Sequence, residues 1–297
     1  MTSNNLIGRL ALEAMLIEVS VTPKPGLVDR NNSGAHRDMG FFTFMKSAAG
    51  LHSCFDEFAE SGFIAGINKL SPSKLFANIR KIGIRAEESM FAATGGINTH
   101  KGEIFSLGLL SASAGYLAGS NGVVNSDSVM NLAGKICAGI CEQDFGEARN
   151  KDYDSLTKGE RIYLEHGITG IRGEAESGYQ TVRNVSLPAL RKYLSVGLSM
   201  NDSLAFTLIN LMAAAQDTNI ISRHNIETAR EVMRLSREML EREDLTLQGI
   251  YELDEKFIEQ NISPGGSGDL LAVTYFLYML DQKCCYTYSR FSKITNN

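Results

Sequence analysis

Five polar, glycine-rich segments of this 297-residue chain carry its titratable side chains at spacings that can do chemistry. The first runs from Thr22 to Arg30 and on to Asp38, gathering Lys24, Asp29, Arg30, His36, Arg37 and Asp38. Pro23 and Pro25 stiffen it, and Gly26 permits an unusual backbone turn. Its charge density exceeds what a connector needs, although a plain structural loop is the bland alternative. The second, Thr94 to Gly102, places Gly95 and Gly96 before an apolar helix, with His100 and Lys101 adding donors. Exposed N–H groups at a helix start suit an anion such as phosphate; a capping turn is the alternative. Glu87 on the preceding helix can face this loop.

The third segment, Gly167 to Gly178, brackets Arg172 with glycines and follows it with Glu174 and Glu176. Arginine suits bidentate phosphate recognition, whereas the two glutamates fit equally well in a first helical turn. In the fourth, Asp217 to His224, Asp217 and Asn219 offer oxygens to Mg²⁺, or simply end a helix. The fifth, Ser263 to Leu271, pairs glycines with a helix start that Ser267 or Asp269 can cap. Three familiar patterns fail. His36-Arg37-Asp38 lacks the asparagine of a kinase catalytic loop. The Gly266-Ser267-Gly268 run lacks the last glycine of a dinucleotide fingerprint, and no histidines stand at zinc-protease spacing.

Helices must position these segments. Apolar residues recur at three- and four-residue steps over Leu6–Val21, Phe41–Phe58, Leu75–Phe91, Ile104–Leu117, Val129–Ile140, Leu187–Val196, Leu204–Ala215, Ile226–Leu240 and Ile250–Ile258. Ser71-Pro72, Asn201-Asp202 and Asn225 supply helix starts. Strand signals are nearly absent and alternating strand–helix units are lacking, which disfavours a Rossmann fold. Ile104–Ala118 and Leu204–Ala215 are apolar almost all round, so they are central, with Gly108, Ala112 and Gly115 allowing close approach. The expectation is an all-α fold, a compact multi-helix single domain spanning 1–297, with a polar tail after about 282 and the active site built from inter-helical loops. The polar stretch from Asp144 to Lys158 reads as a surface loop.

Composition narrows the function classes. A net charge of −5 argues against a nucleic-acid binder. Hydrophobic residues at 43% supply a core, and 21% charge does not suggest disorder. The longest apolar stretch, Leu270–Leu280, is too short for a membrane span, which takes about 20 residues, and the N-terminus reads as a helix rather than a signal peptide. Five cysteines without a C-x-x-C pair read as reduced thiols. A cytoplasmic protein with no membrane contact is expected.

Taken together, Lys24-Pro-Gly-Leu-Val-Asp29, Gly34-Ala-His36, Gly96-Ile-Asn98-Thr-His100-Lys101-Gly102, Arg172-Gly-Glu174-Ala, Asp217-Thr-Asn219 and Ser263-Pro-Gly-Gly-Ser267 resemble the triphosphoribosyl-dephospho-CoA synthase family. The motifs span about residues 10 to 280. The resemblance implies an all-α enzyme using ATP and 3′-dephospho-CoA. The ribose 2′-hydroxyl of the acceptor attacks the anomeric carbon of ATP, adenine leaves, and the triphosphate stays on the transferred ribose. The product is the precursor of the citrate lyase acyl carrier's prosthetic group; malonate decarboxylase is served by a related branch. Two departures stand out: Arg223-His-Asn replaces Arg-Gly-Gly, and Gly268 replaces a common Ala.

On this resemblance the catalytic candidates are Asp29, His36, Glu87, His100 and Glu174. Asp29 or Glu87 is the favoured base or sugar-stabilising group, and His36 or His100 the group that donates to adenine or holds a phosphate. Lys24, Gly96, Asn98, Lys101, Arg172, Arg223 and Ser267 are candidates for nucleotide binding. Asp29, Glu87 and Asp217 are candidate ligands for a Mg²⁺ arriving with ATP. A stand-alone synthase is expected, in transient contact with the enzyme that transfers the prosthetic group. An ATP N-glycohydrolase and a non-catalytic nucleotide-binding subunit are the competing readings.

Overall fold

A computed structural model of the chain describes residues 3–241 and 245–291, with side chains described from residue 5 to 283 outside that gap. Among the described residues there is no strand; the chain is all-α. Its α-helices are α1 (Ser3–Ser20), α2 (Phe41–Ile67), α3 (Pro72–Thr94), α4 (Lys101–Gly119), α5 (Ser126–Ile136), α6 (Ile140–Gly146), α7 (Lys158–His166), α8 (Gly170–Glu176), α9 (Leu187–Ser195), α10 (Met200–Ala214), α11 (Thr218–Arg223), α12 (Ile226–Glu241), α13 (Leu247–Glu259) and α14 (Gly265–Phe291). No helix is long and apolar enough to cross a membrane among the described residues.

The centre is a parallel pair, α2 and α4. A Cβ added at Gly62 would sit 1.9 Å from the Ala112 carbonyl oxygen, and one at Gly66 2.2 Å from that of Tyr116. From the other side, Gly115 and Gly119 would meet the carbonyl oxygens of Ala59 and Phe63 at 2.1 Å each. Only glycine fits such an approach of backbone on backbone. The small residues expected to permit close approach, Gly108, Ala112 and Gly115, lie in this seam.

The parallel arrangement gathers chain ends. Phe44 and Ser47, in the first turns of α2, touch His100 at the start of α4. Gly102 of α4 abuts Asp269 of α14. Helix α1 runs antiparallel to α14, because Glu13 meets Tyr275 whereas Glu18 lies beside Gly268. One end of the bundle therefore holds the N-termini of α2, α4 and α14, the C-terminus of α1, and the loops between them. Three aligned macrodipoles put partial positive charge there.

Several local expectations change. Val129–Ile140 is broken by Cys137 and by Gly139, whose φ of 82° ends the helix, so α6 starts afresh at Ile140. Helix α10 is capped by Ser199, whose hydroxyl accepts from the Asp202 N–H; Asn201 and Asp202 lie inside its first turn. Asn225 does accept from the Thr228 N–H at the start of α12. The Asp144–Lys158 stretch is not a plain loop: it ends α6 and forms two short 3₁₀ turns, Glu147–Asn150 and Tyr153–Ser155. A π-helical turn at Val182–Ser186 leads into α9. The expected tail begins as a continuation of α14 to Phe291, and its remainder lies outside the described residues.

Candidate active site

The first half of the first segment is not a surface loop. Every residue from Thr22 to Asp29 is buried. Gly26 turns the chain at a φ of 69°, and its N–H donates to Asp254 Oδ1 at 2.8 Å. A Cβ there would collide with the Ile262 carbonyl oxygen at 2.0 Å. This tight turn seats Lys24 beside Glu18, the last acid of α1, with Nζ 2.5 Å from Oε1 and both side chains under 5% exposed. Asp29 Oδ1 accepts from the N–H groups of Asn31 and Asn32, while its buried Oδ2 has no hydrogen-bond partner among the described residues.

Around this pair lies a group of carboxyls absent from the sequence-derived candidates. Glu103 is buried, and its Oε2 is also unpartnered. Asp269, half-buried, packs on Gly102. Burial first, then the charges of Glu18 and Asp269, push the Glu103 carboxyl well above its ordinary range. Burial, followed by Asp217 and Glu18, does the same to Asp269. Burial also raises Glu18, against the pull of Lys24. The group holds Glu18, Asp29, Glu103, Asp217 and Asp269 with Lys24 as its cation.

Asp217 caps α11, accepting from the Asn219 and Ile220 N–H groups at Oδ1. Its Oδ2 accepts from both the N–H and the hydroxyl of Ser267. The fourth and fifth segments are thereby clamped together. His36 links the first segment to both: Nε2 lies 2.9 Å from Ser263 Oγ and Nδ1 3.1 Å from an Arg223 nitrogen. Burial, aided by the Arg223 charge, lowers the imidazole pKa to about 4. With both ring nitrogens engaged, His36 ties these loops together. Ser267 likewise serves Asp217 through its hydroxyl.

The second segment lines the same end. His100 is fully buried, and burial with the nearby Lys24 charge lowers its pKa to about 3. Gly96 has a φ of 92° and open space where a Cβ would stand, so its backbone can approach a ligand. Asn98 Oδ1 accepts from the Lys101 N–H. At the exposed rim, Lys101 Nζ pairs with Glu87 at 2.8 Å.

The third segment joins only by its edge, where Gly170 packs on Thr218. Arg172 turns instead to Asp144, with Nε 2.7 Å from Oδ2, and lies over the Phe145 ring. Glu174 accepts from the N–H and hydroxyl of Thr181. Among the described residues, no hydrogen bond or ion pair ties Arg172 or Glu174 to the Lys24 group. The resemblance names both as site candidates; of the flanking glycines, Gly167 caps α7 and Gly173 lies within α8.

As for metals, no three His, Cys, Asp or Glu side chains converge as a ligand set among the described residues. Asp29, Glu87 and Asp217 therefore do not form one cage, and the oxygens of Asp217 are taken up by N–H and O–H donors. Of these three, Asp29 has a carboxyl oxygen, Oδ2, without a hydrogen-bond partner among the described residues. Mg²⁺ often binds through one or two carboxylates and substrate phosphates rather than an all-protein cage, and this group suits that pattern.

The arrangement offers N–H groups and helix N-termini for a polyanion, with carboxyls beneath them for a developing cation. A family model described as ATP:dephospho-CoA triphosphoribosyl transferase matches residues 4–287. The chain is similar, at 40% identity over 93% of its length and 88% of the relative's, to a Vibrio cholerae protein named "Probable 2-(5''-triphosphoribosyl)-3'-dephosphocoenzyme-A synthase". A Pectobacterium atrosepticum protein, named without the qualifier, is 38% identical over 92% of this chain and 88% of its own length. A solved Archaeoglobus fulgidus structure, named "putative triphosphoribosyl-dephospho-coA synthase", shares the fold at 18% identity and a TM-score of 0.52, covering 80% of this chain and 98% of that one.

Proposed function

The chain belongs to the ATP:dephospho-CoA triphosphoribosyl transferase family, and on that premise we propose that it joins the triphosphoribosyl group of ATP to the ribose 2′-hydroxyl of 3′-dephospho-CoA, releasing adenine. The observation that carries this reading is the juxtaposition at one bundle end of three helix N-termini with the buried carboxyl group around Lys24. Helix N-termini and free N–H groups suit a triphosphate. Carboxyls suit the oxocarbenium charge that develops as an N-glycosidic bond breaks.

The residues divide the work accordingly. Gly95 and Gly96, the α4 and α14 N-termini and Lys101 receive the triphosphate. Asp29, Glu103 and Asp269 face the sugar, where carboxyl oxygens offset the positive charge that builds on it. Asp29, with its free Oδ2, takes the proton of the attacking hydroxyl, and Glu87 at the rim orients Lys101. Mg²⁺, expected to enter with ATP, would be held by Asp29 and by the phosphates; its chemistry there is to neutralise triphosphate charge. The product serves as the prosthetic-group precursor of a citrate lyase acyl carrier, which requires transient contact with a transferring enzyme, in the cytoplasm.

Mass spectrometry after mixing the protein with ATP, Mg²⁺ and dephospho-CoA tests the reaction. Free adenine together with a triphosphoribosyl adduct of dephospho-CoA is expected. Adenine released at the same rate without the acceptor would replace the reading with ATP N-glycohydrolysis. ATP binding with no adenine under either condition would make the chain a binding subunit.

A further inference from the structure

The hydroxyls of Thr99 and Ser47 and the imidazole of His100 form a chain whose proton inventory has one solution. Thr99 Oγ1 donates to Ser47 Oγ at 2.8 Å. Ser47 Oγ lies 2.7 Å from His100 Nδ1. Ser47 is fully buried, and a hydroxyl owns a single proton. If Nδ1 carried the imidazole proton, Ser47 would accept twice and its own proton would have no acceptor. With Nδ1 bare, each proton finds a partner: Thr99 gives to Ser47, and Ser47 gives to Nδ1. The imidazole proton then resides on Nε2, which is buried and has no partner among the described residues. Phe44 packs edge-on against the ring at 4.8 Å, and the His100 backbone N–H donates to Met90 Sδ at 3.3 Å.

We propose that Ser47 and Thr99 are positioning residues that hold His100 as the neutral Nε2–H tautomer, a fixed hydrogen-bond donor to an acceptor atom of the nucleotide. The lowered imidazole pKa agrees, because a ring that stays neutral donates without first being charged. The identity of the acceptor rests on the transferase reading above; the tautomer rests on the hydrogen bonds alone. Two acceptors have the needed chemistry, a phosphate oxygen and a ring nitrogen of departing adenine. Kinetics separate them: losing a ground-state phosphate contact raises KM for ATP, whereas losing a contact to the leaving base lowers kcat.

The test is nitrogen-15 NMR of the full chain labelled at histidine, with the His100 signals assigned by their loss in His100→Asn. A bare Nδ1 and a protonated Nε2 are expected in the wild-type protein. A protonated Nδ1 would overturn the proposal whatever the activity. Thr99→Val, which removes the first donor from a half-buried site, should raise the Nδ1–H population and change kcat or KM for ATP about tenfold, equivalent to ~1.4 kcal/mol. Thr99→Ser, which keeps the hydroxyl, should behave as wild type. Equal defects in Thr99→Val and Thr99→Ser would mean that the threonine methyl matters, and would also overturn it. If no adenine is formed by the wild type, the transferase reading fails while the tautomer result stands.

Discussion

Gly102 lies so close to Asp269 that a Cβ on the glycine would stand 2.1 Å from the carboxylate Oδ2. The two residues belong to the first turns of different helices, so their contact sets how far apart α4 and α14 begin. Gly102→Ala forces the short Asp269 side chain to rotate away. Alanine also raises helix propensity, by roughly 0.5–1 kcal/mol over glycine. The expected result is a melting temperature changed by only a few degrees with kcat/KM down at least about tenfold. A variant of wild-type activity would remove Asp269 from the sugar-facing wall.

Lys24 is the cation among the buried carboxyls, and its ion pair with Glu18 is shielded from solvent. Lys24→Met leaves Glu18 without its partner, a change that typically costs about 3–5 kcal/mol. Adding Glu18→Gln should restore most of the stability measured by urea denaturation, because the orphaned charge is gone. Activity should not return with it.

Asp217 provides a sharper separation of clamp from metal ligand. Asp217→Ala removes an N-cap, worth about 1 kcal/mol, and orphans the Ser267 N–H, at about 1–3 kcal/mol. The expected loss of stability is the sum of these, roughly 2–4 kcal/mol. The Mg²⁺ concentration giving half-maximal rate should stay within about twofold of wild type at temperatures where the variant is folded. A large rise in that concentration would restore Asp217 as a ligand.

The pH dependence has two limbs of opposite sign. Glu18, Glu103, Asp217 and Asp269 have carboxyl pKa values raised by folding above ordinary values of 4.5 and 3.8. Their contribution is complete below those values and is lost as pH rises through the higher folded ones. His36 and His100 are lowered from 6.5 to about 4 and about 3. Their contribution is complete above 6.5 and is lost as pH falls toward 4 and then 3. Denaturation midpoints measured from pH 3 to 9 should therefore fall on both sides of a maximum. His36→Gln should flatten the acid limb between about 6.5 and 4, and Glu103→Gln the alkaline one.

Much of this was readable beforehand, and the failures have physical causes. The helices carrying a strong apolar period were found where they stand, and the glycine-bearing loops at the α4 and α14 starts do meet. Short α6, α7 and α8 were missed because a helix of two turns shows little period. Arg172 and Glu174 pair outside the Lys24 group: a glycine beside a charge looks alike whether it opens a binding loop or ends a helix. Glu103 and Asp269 were passed over despite a usable signal. Each is the carboxyl at the head of a long apolar helix, where it is drawn toward the core and has to be compensated.

Lys101 tests the rim rather than the interior. Its ammonium is more than half exposed and pairs with Glu87, so the fold does not depend on it. Lys101→Ala should leave the melting temperature unchanged and raise KM for ATP several-fold in steady-state assays. Unaltered kinetics would place the triphosphate elsewhere on this end of the bundle.

The glycine seam of α2 and α4 gives distant substitutions a mechanical reach. Gly62 sits 21 residues beyond the start of α2, about 30 Å along the axis at 1.5 Å per residue. A side chain wedged there meets backbone that cannot yield, so the two rods must pivot, and their far tips travel with them. Tolerance to mutation in this seam is thus governed by alignment of the reacting groups a bundle-length away, and a folded, well-behaved variant at Gly62 or Gly115 can still be a dead enzyme.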